Sequence, residues 1–164
     1  MTKQTLSPIR ILILLIGLVC YSSVADAQDK ARTPEPKSKT AGGLTVPVTL
    51  GAKTIRAIVA DTEFLLRKGL LGHETVSDDE GMLLLFPFPG EYAIHMEGMK
   101  FPIDAIWIDD KDAIKLIYES IPPNSGVTYP SMFRCKYCLE VKAGFCKRFG
   151  IKAGQTVRFG IPGK

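Results

Sequence analysis

The sequence predicts an α+β domain: small, mostly antiparallel β, with two short helices and a sheet able to close partway into a barrel. Three observations carry this prediction. Short β-branched and apolar runs recur from Thr45 to Phe159, parted by Gly, Pro and Asp turns. Only two stretches, Glu63–Leu71 and Ala143–Phe149, read as helices. Alternation is clearest from Phe101 to Asp109, where Phe101, Ile103, Ala105 and Trp107 fall on one face because strand side chains repeat every second residue. Many short strands with few helices favour a packed sheet or a partly closed barrel.

Taken in order, Thr45–Leu50 and Thr54–Ala60 are β-branched runs either side of Gly51, hence two strands and a turn. Asp61 or Thr62 can cap the first helix. Within that helix Phe64, Leu66, Leu70 and Leu71 approach a common face, and Gly72 stops it. Ser77–Gly81 is an acidic turn. Met82–Phe86 is a fully apolar strand, which Pro87, Pro89 and Gly90 are expected to break. Tyr92–Met96 resumes as a strand that Gly98 weakens. Asp109–Asp112 turns the chain into a strand from Ala113 to Ile121, and Pro122–Gly126 is a loop. Tyr137–Val141 is a strand, Ala143–Phe149 a helix ended by Gly150, and Thr156–Phe159 a last strand.

The first residues predict export. Lys3 and Arg10 form a basic start, Ile11–Val19 is an apolar run too short for a stable span, and Ala25-Asp26-Ala27 places small residues where a signal peptidase accepts them. Residues 1–27 read as a signal peptide, with a periplasmic or secreted mature protein beginning at Gln28 and no membrane association after cleavage. A lipoprotein reading through Cys20 is disfavoured, since Val19 is not the small residue required just before it. Gln28–Gly43, with two prolines and no large apolar residue, reads as a disordered linker. Residues 44–164 form one domain.

The chain carries 21 Lys and Arg against 17 Asp and Glu, a net charge of +4. Losing Lys3, Arg10 and Asp26 with the leader lowers this by one. The excess is mild and dispersed, and no basic run interleaves with aromatics, so a nucleic-acid partner is not expected. An unidentified small molecule or a protein partner is expected instead.

Several runs together resemble one family. They are Ala60-Asp61-Thr62, Arg67-Lys68-Gly69-Leu70, Asp79-Glu80-Gly81-Met82-Leu83, His95-Met96, Phe101-Pro102-Ile103-Asp104, Ile108-Asp109, Tyr137–Val141 (YCLEV) and Ala143–Gly154 (AGFCKRFGIKAG). In their order and spacing they resemble the bacterial and archaeal family called domain of unknown function 192, over roughly Thr54–Phe159. The resemblance implies a small β-rich fold and frequent export, and no established reaction. Two positions depart from the pattern. His95 stands where the family usually has Trp, and Leu71-Gly72-His73 stands where an Arg commonly follows, so a ligand held there in relatives need not be held here.

The candidate site is a polar cluster among apolar strands: His95, Glu97 and Asp104, with Glu80. On a strand His95 and Glu97 share a face, and Asp104 lies opposite Phe101, Ile103, Ala105 and Trp107. A histidine beside carboxylates can act as a general base, which makes a small hydrolase-like enzyme using His95 with Asp104 or Glu97 the alternative to a binding protein. The competing structural reading has Asp104 accepting backbone amides and His95 as a filler, and it outweighs the functional one. Arg67, off the helix's apolar stripe, can meet Glu80 or an acidic ligand, but an ordinary surface salt bridge is the favoured reading.

Met82, Met96 and Met99 with His95 offer thioether and imidazole ligands suited to Cu(I), with Met99 the one expected to be free of core packing. This stands as a minor alternative, and no cofactor is expected. Cys135, Cys138 and Cys146 lack the paired spacing and nearby histidines of a zinc site, and Cys135 and Cys138 do not open a helix as a redox pair would. One structural disulfide or buried thiols are expected. No phosphate loop, nucleophile elbow or HExxH occurs. The reading is an exported, non-enzymatic ligand- or partner-binding domain.

Overall fold

Alternation decides which side of each strand is buried, and here both sides find cover. The computed structural model describes residues 43–161, which form nine strands and two short helices. These are β1 (Thr45–Leu50), β2 (Lys53–Ala60), α1 (Glu63–Lys68), β3 (Glu80–Gly90), β4 (Ala93–His95), β5 (Ile103–Ile108), β6 (Ile114–Ile121), β7 (Thr128–Pro130), β8 (Cys135–Lys142), α2 (Phe145–Phe149) and β9 (Val157–Phe159). The expected signal peptide and, apart from Gly43, the expected linker lie outside the described residues.

Seven strands form one sheet in the order β6-β5-β8-β3-β2-β1-β9, while β4 and β7 pair separately. Neighbours run antiparallel except β2 and β3, which are parallel and joined through α1. The sheet curls, and its two edges are stitched at one end. Ala113 bridges to Thr156, Ile114 N donates to Gln155 O, and Val157 N donates to Asp112 O. The fold is therefore mostly β, a half-barrel with two short helices.

The inner face of the curl carries Val46, Val48 and Leu50 from β1, Ile55, Ala57 and Val59 from β2, and Leu139 and Val141 from β8. Phe145 and Cys146 of α2 plug it. The outer face carries Met82, Leu84 and Phe86 from β3, Ala105 and Trp107 from β5, and Cys138 from β8, covered by Leu70, Ile94, Met96 and Met99. Central strands β5 and β8 are thus buried on both faces, which explains their near-continuous apolar sequences.

Three expectations are corrected. Pro87 and Pro89 do not end β3. They sit where its ladder to β8 lapses between Leu85 and Gly90, so the missing amide donors are not required. Lys136 Nζ donates to the Phe86 and Pro87 carbonyls there, and Arg134 to that of Pro89. The first helix is shorter than expected. Thr62 caps it as predicted, its Oγ1 accepting from Leu65 N, but Gly69 (φ 49°) ends it rather than Gly72. Phe64 consequently points to solvent, 72% exposed, and Leu65 packs on the outer core in its place. Finally, Tyr92–Met96 contributes only β4, which leaves the main sheet to pair with the unexpected strand β7.

Candidate functional site

The outer core is not filled. Between the α1–Leu71 segment and the Tyr92–Met99 segment lies a cavity of about 750 Å³. Leu84, Phe86 and Glu140 floor it, Gly69, Met96 and Met99 form its walls, and Asp61, Glu63, Arg67, Lys68 and His95 also line it. Phe86 stacks on Tyr92 with ring centroids 3.8 Å apart and 7° between planes, and Trp107 lies behind it at 6.0 Å. Mostly apolar walls with a few placed polar groups are the ordinary composition of a small-molecule site.

Glu140 is the polar group of the floor. The β8 register sets it opposite Met82 on one side and Ala105 on the other. It is 6% exposed, and its Oε2 finds no hydrogen-bond partner among the described residues. Burial pushes its pKa up to about 7, because desolvation disfavours the charged form. Gly69 turns off α1 directly above, with a left-handed φ that a side chain would strain.

The sequence-derived cluster does not assemble. Asp104 is fully buried on the inner face, opposite Val141, and does not line the cavity. Its Oδ1 accepts from Ser120 N (2.8 Å) and Gly144 N (2.9 Å), and its Oδ2 from Cys146 N (2.8 Å). The carboxylate ties β6 and the entry to α2 onto β5. The face opposite Trp107, which also carries Ile106 and Ile108, is the inside of the curl. The His95–Asp104 pairing of the enzyme alternative therefore does not form.

His95 is exposed at the cavity rim, at the end of β4. Glu97 shares its outward direction, with Met96 buried between them, but does not line the cavity. Glu80 lies away from the cavity, accepting from Ser77 Oγ and standing 3.8 Å from Arg56. Arg67 lines the cavity and pairs with Glu63 at 2.7 Å rather than with Glu80.

Met99, expected to be free, is only 6% exposed and belongs to the outer core with Met82 and Met96. No group of three or more His, Cys, Asp or Glu among the described residues is placed to hold a metal. Cys135, Cys138 and Cys146 are buried free thiols, so the disulfide option is not realised. Burial raises the Cys135 pKa to about 11 and pushes the other two up as well.

Glu140 escaped the sequence reading, although a signal existed. It is the one charged residue in Cys138–Val141, and Cys138 and Glu140 share a face. A carboxylate inside an apolar run that pairs on both sides cannot reach water by turning over.

Comparison with known proteins supports the fold. The family model for domain of unknown function 192, described as "Uncharacterized ACR", matches residues 46–159. A crystal structure of a candidate transcription regulator from Sinorhizobium meliloti is similar at TM-score 0.70 and 24% identity, covering 73% of this chain and 97% of that one. A protein of unknown function from Novosphingobium aromaticivorans is similar at TM-score 0.71 and 27% identity, covering 74% and 89%. No curated protein matches the chain.

Proposed function

Because the chain belongs to the family called domain of unknown function 192, whose description names no activity, we propose a function from the cavity itself: an exported domain that binds a small organic molecule and does no chemistry on it. The observation that carries this reading is Glu140 Oε2, a buried polar atom without a partner among the described residues, in the floor of a cavity of about 750 Å³. An unsatisfied buried polar group costs about 1–3 kcal/mol, and a ligand able to hydrogen-bond there recovers that penalty. Phe86, Met96 and Met99 supply apolar contact around it. Export rests on the leader-like residues 1–27.

Two measurements test the reading. Native mass spectrometry of protein purified without unfolding should find a co-purified organic mass that leaves on acid denaturation. Titration with 2-phenylethanol, a neutral probe small enough for the cavity, should shift the methyl NMR signals of Met96 and Met99 and saturate. A protein that carries no organic mass, and whose methionine methyls ignore the probe, contradicts the reading.

A further inference from the structure

We propose that the cavity selects an organic ammonium ion, a compact apolar body bearing a protonated amine, with the Glu140 carboxylate as its counter-ion. This deepens the binding reading above and rests on it.

The geometry supplies half of an ion pair. Glu140 forms no ion pair among the described residues, lies between Met82 and Ala105, and presents its carboxyl group to the cavity beneath Gly69. Two more carboxylates, Asp61 and Glu63, line the same space. Of the lining cations, Arg67 is already engaged by Glu63, and Lys68 lies in the last turn of α1. The Phe86–Tyr92 stack lines the same cavity and supplies apolar surface for the ligand's body. With Glu63 and Arg67 paired to each other, a ligand carboxylate would meet Glu140 and Asp61 against the single charge of Lys68 among the described lining residues. A neutral ligand would leave an ionised Glu140 without compensation. An ammonium ion donates to Oε2 and cancels the buried charge.

Proton linkage makes this distinguishable. Near neutral pH Glu140 is partly protonated in the free protein, since its pKa stands at about 7. Below that, an ammonium ligand must displace the proton from Glu140 to bind, so its affinity falls with falling pH. A ligand that accepts a hydrogen bond from the protonated acid behaves oppositely. The other charged and titratable groups facing the cavity are Asp61, Glu63, Arg67, Lys68, Tyr92 and His95, and Cys138 flanks Glu140 on β8. A His95→Gln variant isolates the part of the rim histidine.

The experiment compares three probes that share one phenyl body, by calorimetry: 2-phenylethylammonium, 2-phenylethanol and 3-phenylpropionate. We expect the ammonium ion to bind about tenfold to a hundredfold more tightly than the alcohol at about pH 8. Between about pH 8 and about pH 5.5 its affinity should drop about thirtyfold, as expected from the fraction of ionised Glu140. Glu140→Gln should remove both the preference and most of the pH dependence while still binding the alcohol. His95→Gln should keep both. If the alcohol or the acid binds as well as the ammonium ion, or if Glu140→Gln retains the preference, the inference falls and the cavity reading stands. If none of the three binds, both fall.

Discussion

Gly69 lies over the carboxyl group of Glu140: a Cβ at position 69 would stand 3.5 Å from Oε2 and 3.8 Å from Oε1. That proximity joins the first helix to the central strand β8 and defines the polar end of the cavity. It also explains why a glycine suits position 69. The chain must leave α1 with φ 49° and ψ −137°, a region nearly closed to side chains, to pass above the acid.

Gly69→Ala should therefore lower stability by about 1–3 kcal/mol through backbone strain. The added methyl meets the carboxyl at an ordinary contact distance, so the fold should survive. Urea unfolding measures this, and an unchanged midpoint would contradict the strain at this turn.

Glu140 gives stability a definite pH slope. Its pKa rises from 4.5 in the unfolded chain to about 7 in the folded one. The folded state then holds more protons across that interval, so its contribution is fully present below about pH 4.5 and is lost as pH rises through about 7. The loss is on the order of 3 kcal/mol. Glu140→Gln should remove it, unfolding at higher urea than the unmodified protein at about pH 8 with the gap closing at about pH 4.5. A constant difference across that range would contradict this.

Asp104 is expected to matter for folding alone. Asp104→Ala strands the amides of Ser120, Gly144 and Cys146 in the interior and should cost about 3–5 kcal/mol. Asp104→Asn keeps one acceptor oxygen and should cost less. Urea unfolding gives the comparison. Full stability with lost 2-phenylethanol binding would make Asp104 a site residue after all.

The buried thiols should be inert. Cys135, Cys138 and Cys146 should resist alkylation in the native protein at about pH 8 and react fully in urea without any reductant. Peptide mass mapping reads each position. Rapid native labelling at one of them would contradict its burial, and protection in urea would reveal a disulfide.

Much of the fold was legible because it rests on local signals. Thr62 reads as a cap, Gly150 as a stop, and Phe101, Ile103, Ala105 and Trp107 as one buried face. The site was harder to read, because alternation gives the parity of a side chain but not what lies on each side. Asp104 falls on the face opposite Trp107, and that face is interior because α2 packs over it, with the Gly144 and Cys146 amides on the carboxylate. The cavity is lined by Gly69 and Met99 from segments about 30 residues apart in sequence, a separation that periodicity does not bridge. Of the polar candidates legible in the sequence, His95 and Arg67 line it and Glu80 and Glu97 do not.

The most direct test of the account is the titration of the Glu140 side-chain carboxyl, followed by its ¹³C chemical shift in protein labelled at glutamate. A single transition near pH 7 in the free protein, displaced downward on adding 2-phenylethylammonium, is the predicted result. A transition in the ordinary glutamate range, about pH 4.3, unmoved by the probe, would mean that Glu140 is hydrated and is not the polar anchor of a binding site.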